Sequence, residues 1–217
     1  MKIKNVHLHI LRASGRFEPY VNILEKTLKG AVDKTARHIR LHPIDIIISD
    51  DPPHVIPGFG HGARTQNPYT IRISLDPAFP DFEHVIKKEI PRTISHELHH
   101  AVRWKTKGYG TTLLERLVSE GLATHFEQEV WGGKPSPWAI ALSKQELYNV
   151  QRQAQREYAA VSYDHRRWFY GTGDLPRWAG YSLGCHLVGR YLKKHSDQTA
   201  AALVNAPAEI IADAKAQ

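Results

Sequence analysis

Residues 96–100 read His-Glu-Leu-His-His, and this run constrains the chain more than any other. On a helix, side chains four positions apart lie one turn above each other, so His96 and His100 face one point. Two neutral imidazole nitrogens at about 2.0–2.1 Å from Zn²⁺ need only one or two further ligands. Glu97 is rotated off that face by one residue. It cannot easily join the same ligand plane, but it can reach a water held by the metal. Zinc brings the pKa of such a water to about 7, and a carboxylate can then take its proton. The run predicts a helix, a zinc site at His96 and His100, and Glu97 as general base. The competing reading is a surface helix carrying solvated histidines, since the chain has 14 of them.

The downstream sequence bears on that choice. One arrangement completes the site as H-E-x-x-H-x-x-G-x-x-H. Here the glycine position is Arg103 and the last histidine position is Thr106, so that arrangement fails twice. The other takes a glutamate from a following helix. Ser119-Glu120-Gly121-Leu122-Ala123 supplies one, 20 positions after His100 (120 − 100 = 20). A helix, a turn and a second antiparallel helix fit in that interval, and Gly121 and Ala123 let two helices approach closely around an ion. An ordinary helix-surface glutamate is the plainer alternative. Three neighbours compete with Glu120. Glu115 is assigned to a capping box with Thr112. Glu127 lies two turns on, about 10 Å along the axis. Glu129 falls on a different face.

Composition narrows the class. At 217 residues, with 41% hydrophobic and 24% charged, the chain reads as one globular domain with a real core. The single cysteine, Cys185, excludes an intramolecular disulfide framework and a Cys-rich zinc knuckle. No apolar run reaches the roughly 18 residues of a membrane span, and the N-terminus lacks a signal-peptide pattern. A cytoplasmic protein with no membrane partner is expected. The net charge of +7 comes without a Lys/Arg block or nucleic-acid motif, so it reads as a solvated basic surface and nucleic acid is an unlikely partner.

Along the chain, residues 3–11 alternate as a strand, and Pro19 to about Ile39 is helical, with Leu24, Leu28, Ala31, Thr35 and Ile39 on one side. Residues 44–49 form a short β-branched run, read as a buried strand. The Gly-rich stretch 57–67 reads as a mobile surface loop. Residues 69–75 alternate cleanly and read as a one-sided edge strand. Beyond residue 80 the pattern is helical. Pro91 should start or kink the metal-motif helix, and Gly108 and Gly110 should end it. Helices follow from Thr112, from Ser143 to about Ala160 and near 178–195, with a last helical segment at the C-terminus.

With these residues in place, the chain resembles the glutamate-zincins. More narrowly, it resembles a bacterial family of predicted zinc-dependent proteases known mainly as a domain of unknown function. The matching stretches are ISHELHHAVRW at 94–104, LVSEGLATHFE at 117–127 and, less specifically, LPRWAGYSLGCHLVGRYL at 175–192. The resemblance implies zinc bound by His96, His100 and Glu120, with Glu97 catalytic. It also implies a Tyr or His from a later helix that steadies the oxyanion. Tyr181 is the first candidate, against a buried core tyrosine, and His186 the second. His99 reads as outer-shell or surface, and His125 as structural.

The expected fold is α+β and zincin-like, a single domain over 1–217. A small, mostly antiparallel sheet from residues 1–80, with one long helix, packs on the active-site helix. A helical part, 81–217, carries the zinc site. The expected activity is zinc-dependent peptide hydrolysis, with a peptide or protein substrate pairing with the strand at 69–75. Two rivals stand beside it. One is a zincin-like scaffold acting as a nucleic-acid-associated or regulatory binding protein. The other is a structural or vestigial zinc site without turnover.

Overall fold

The structure is a computed structural model and describes residues 1–212. It is a mixed α+β fold. Two compact units divide it, Met1–Val102 and Arg103–Gln217.

The first unit holds a five-stranded sheet in the order β1-β2-β3-β5-β4. The strands are β1 (Lys2–Ile3), β2 (Val6–Ile10), β3 (Ile44–Asp50), β4 (His61–Asn67) and β5 (Thr70–Leu75). Lys4, at φ 52°, turns β1 back on β2, so the strand expected over 3–11 is two short ones. Helix α1 (Val21–Thr35) links β2 to β3 and buries Leu24, Leu28, Ala31 and Thr35. A helical crossover returns the chain in the same direction, so β2 and β3 pair in parallel. β3 and β5 are parallel as well, and only the β1–β2 and β4–β5 pairs are antiparallel. The expected mostly antiparallel sheet is therefore mixed. Ile44, Ile46 and Ile48 of β3 are buried, as the apolar run predicts for an interior strand.

Two sequence expectations are corrected here. The strand near 69–75 is not an edge, because β5 lies between β3 and β4. Its alternation reflects unequal cover on its two faces, not exposure along its side. The edge strand on this side of the sheet is β4, which falls in the Gly-rich stretch expected to be a mobile loop. Gly60 and Gly62 make that strand possible. A Cβ on Gly60, at φ +67°, would meet the Phe79 ring at 2.4 Å, and one on Gly62 would meet the His54 carbonyl at 2.4 Å. Glycine here permits close packing, not mobility.

The chain then turns helical, with α2 (Phe82–His84), a π-helical turn over Val85–Glu89, and α3 (Ile90–Lys107). Pro91 has no N–H to give to the turn before it, and the wide turn sits where that hydrogen bond would fall. The Thr35 hydroxyl bonds Ser95 Oγ at 2.7 Å, joining α1 to α3. Gly108, at φ +80°, caps α3 by donating its N–H to the Trp104 carbonyl at 3.1 Å.

The second unit contains α4 (Leu113–Trp131), α5 (Lys144–Glu157), α6 (His165–Tyr170), α7 (Ala179–Lys194) and α8 (Ala208–Ala212). The remainder of the expected C-terminal helical segment lies outside the described residues. Capping boxes open α4 at Thr112/Glu115 and α5 at Ser143/Glu146. Leu113, Leu117, Trp168, Phe169, Leu183 and Leu187 belong to one buried core. The small residue beside Glu120 does bring two helices together, but the partner is α7. A Cβ on Gly121 would meet the Gly184 carbonyl oxygen at 2.1 Å, and one on Gly184 would meet the Leu117 carbonyl oxygen at 2.2 Å. Among the described residues no helix is long and apolar enough to cross a membrane.

Candidate metal centre

Helix α3 presents His96 and His100 one turn apart, as their spacing requires. Their Nε2 atoms are 3.0 Å apart and the rings meet edge to face, with centroids 4.7 Å apart. Glu120 completes the group. His96, His100 and Glu120 are all buried, and each offers one ligand atom, the three atoms lying within 4.8 Å of one another. Bonds of about 2.0–2.2 Å to a tetrahedral zinc put ligand atoms roughly 3.4 Å apart. Two imidazoles and one carboxylate at this separation fit zinc, and the set leaves a fourth position for water or substrate.

Glu97 is held by a residue the sequence reading missed. Thr65, on the edge strand β4, donates its hydroxyl to Glu97 Oε2 at 2.7 Å and lies 3.0 Å from the Glu97 carbonyl oxygen. Both residues are buried. Oε2 is thus anchored, and Thr65 is the one side-chain partner of this carboxylate among the described residues. The alternation Ala63-Arg64-Thr65-Gln66 carries no cue, because the strand itself was hidden by its glycines.

Glu120 has different neighbours. Tyr109 donates its hydroxyl to Glu120 Oε1 at 3.3 Å. The Tyr109 ring is sandwiched, with Trp104 stacked on it at 4.7 Å and the Arg116 guanidinium carbon 3.7 Å from its centroid. Burial lowers the Arg116 pKa, but Tyr109, Glu120 and Tyr163 together outweigh that and raise it on balance. Sequence reading missed both residues. The spacing of Arg116 and Glu120, four apart on α4, is the signal that could have found Arg116.

The other glutamates of α4 have separate employment. Glu115 Oε2 accepts from the Thr112 N–H at 2.9 Å. Glu127 accepts from Ser136 Oγ at 2.7 Å, and Glu129 accepts from the Ala201 N–H at 3.1 Å. His99 is buried, not at the surface. His125 Nε2 lies 3.0 Å from the Cys185 carbonyl oxygen, between α4 and α7. Tyr181 is half-buried on α7, packed edge-on against Phe169 at 5.1 Å. His186 has its pKa lowered, first by burial and then by Arg190.

A mixed α+β chain that gathers two histidines one helical turn apart with a buried glutamate has the donor set of a zinc-binding protease scaffold. Residues 27–213 match the family described as predicted Zn-dependent protease (DUF2268), and the chain belongs to that family. It is 27% identical over 128 residues to the uncharacterized protein YjaZ of Bacillus subtilis (strain 168), covering 56% of this chain and 49% of that protein. It is 26% identical over 159 residues to the uncharacterized protein YjfC of the same organism, covering 64% of this chain and 46% of that protein. The chain thus spans about half the length of the curated relatives it matches. No solved structure matches it.

Proposed function

We propose that this protein is a zinc-dependent metallopeptidase, with His96, His100 and Glu120 holding the metal and Glu97 as general base. The observation that carries the reading is the buried His96/His100/Glu120 cluster, with Glu97, a carboxylate outside the cluster, on the same helix α3 as its two histidines. Bound there, zinc supplies a Lewis acid that polarises the substrate carbonyl and makes water a stronger acid. Glu97, held through Oε2 by Thr65, takes the proton of the attacking water on its other oxygen and delivers it to the leaving amine. Tyr181 is the proposed donor to the oxyanion of the tetrahedral adduct. The substrate is an extended peptide. Its pairing edge is β4, whose outer side is unpaired among the described strands and whose Thr65 touches the base. Family membership supports a peptide or protein as substrate.

The test is metal content and cleavage together. The purified protein is expected to bind about one zinc per chain. Hydrolysis of a mixed peptide pool, read by mass spectrometry, should stop on chelation and return with zinc. Tyr181→Phe should keep the zinc and lower hydrolysis by about 10²-fold, the loss of one oxyanion donor. A zinc-loaded protein that cleaves no peptide would make the site structural.

A further inference from the structure

We propose that Arg116, flanked by Tyr163 and His165, forms a carboxylate-recognition subsite beside the metal centre, so that the preferred substrate presents a carboxylate near the scissile bond. The inference rests on the metallopeptidase reading, which it deepens by naming a substrate class.

Arg116 and Glu120 lie four apart on α4, so both side chains leave the same face one turn apart. Tyr109 ties them together: its hydroxyl bonds Glu120 while its ring lies under the guanidinium. The guanidinium is therefore fixed close to the third metal ligand. Its donors are mostly uncommitted. Among the described residues its one side-chain hydrogen bond runs from Nε to Tyr163 Oη at 3.3 Å. A guanidinium carries five N–H groups, so the forked η nitrogens remain to be used.

Two other arginines of this unit, Arg103 and Arg167, are occupied. Arg103 Nη1 donates to the carbonyls of Val204, at 3.0 Å, and Ala206, at 2.8 Å. Arg167 donates to Asp174 at 2.6 Å and to Glu157 at 3.3 Å. Arg116 differs in having a half-buried fork aimed from the metal-ligand face, with no carboxylate in ion-pair contact among the described residues. Tyr163 and His165 stand beside it, their ring centroids 6.2 Å apart. His165 is within electrostatic reach of both Arg116 and Glu120. Glu120 is the carboxylate whose charge acts on Arg116 among the described residues, and zinc would claim that charge. The ligand that matches a planar, partly desolvated guanidinium with phenol and imidazole donors at its side is a carboxylate. A peptide offers one from two sources, its C-terminus or an Asp/Glu side chain.

The experiment uses the zinc-loaded protein and four hydroxamates, read by calorimetry. Acetohydroxamic acid reports the metal alone. Three leucyl-alanyl-type peptide hydroxamates differ only at their far end: a free C-terminal acid, its amide, and an amide carrying a glutamate in place of alanine. The free acid is expected to bind at least tenfold tighter than its amide. Arg116→Gln should remove that preference while leaving acetohydroxamic acid within about twofold. Arg116→Lys keeps the charge and stem but not the fork. It should cut the preference at least threefold, and it carries the test where Arg116→Gln lowers zinc content. A preference for the glutamyl amide instead, equally dependent on Arg116, supports the subsite and assigns its source to a side chain. Equal binding of all three peptides in the unsubstituted protein, or a preference that survives Arg116→Gln, overturns the subsite and leaves the metal reading standing. Failure of acetohydroxamic acid itself, with zinc present, removes the metallopeptidase reading and the subsite with it.

Discussion

Two buried carboxylates, Glu97 and Glu120, have different surroundings, and the proposed mechanism gives them different roles. Glu97, on α3, is held by the neutral hydroxyl of Thr65 on a β-strand. Glu120, on α4, is held by the Tyr109 phenol with the Arg116 cation in electrostatic reach. A cation beside a carboxylate favours its charged form, whereas a hydroxyl orients it without supplying a charge. The setting of Glu120 suits an anion that stays on a metal. The setting of Glu97 suits a group that must accept and release a proton in each cycle. In the proposed mechanism two glutamates of equal intrinsic chemistry thereby take two roles, which is how environment separates acid–base partners elsewhere.

The largest effects should separate these roles outright. Glu120→Ala, like His96→Ala with His100→Ala, is expected to abolish stable zinc binding. Glu97→Gln is nearly isosteric, and is expected to retain about one zinc per chain while hydrolysis falls by about 10²–10⁴-fold. Glu127→Ala and Glu129→Ala should leave zinc affinity nearly unchanged, because Ser136 and the Ala201 N–H already account for those carboxylates. Metal content and activity measured on all of these variants check the division. Zinc lost from Glu97→Gln but kept in Glu120→Ala would reverse the two roles.

A smaller effect is expected one step out from the ligand. Tyr109→Phe removes the hydroxyl that orients Glu120 and keeps the ring that stacks on Trp104 and under Arg116. Groups that orient metal ligands typically contribute 10–100-fold to affinity. Competition with a chromophoric chelator should therefore show zinc affinity down by about tenfold, with the fold unchanged by circular dichroism. An unchanged affinity would mean that Tyr109 belongs to the aromatic stack alone.

How much of this was legible depended on whether one helix carried the information. The spacing of His96 and His100 is a property of α3 by itself, so the residues that share a point could be read without knowing the fold. The same holds for the capping boxes at Thr112/Glu115 and Ser143/Glu146, which are local hydrogen-bond patterns. The sheet was harder. Its parallel pairs depend on which strands a helical crossover brings together, and alternation in residues 69–75 cannot say which strand lies outside. β4 was hidden for a further reason. Its glycines look like loop residues, but they are there because Phe79 and the His54 carbonyl leave no room for a Cβ. Thr65 was lost with the strand. Gly121 was noticed for its size but assigned to the wrong neighbour, since sequence shows that a helix is thin on one side and not which helix fills the gap.

The smallest effect is the one that tests whether the strand takes part in the chemistry. Thr65→Val preserves shape and β-branching, so β4 should keep its pairing with β5. It removes only the hydroxyl, which donates to Glu97 Oε2 and lies 3.0 Å from the Glu97 carbonyl oxygen. The carboxylate then loses its anchor, and more of its rotamers point away from the water it must deprotonate. Hydrogen bonds to charged groups contribute about 1.5–3 kcal/mol, and part of that should appear as lost orientation in the reacting state. The expected result is a kcat lower by about tenfold, with KM and zinc content close to unchanged. Thr65→Ser keeps the hydroxyl and should recover most of the loss. A merely structural role would give another pattern: lower stability for both variants in urea unfolding, with kcat per folded molecule unaltered. If Thr65→Val kept full kcat, Glu97 would be oriented by its own helix alone. The edge strand would then serve the substrate without touching the base.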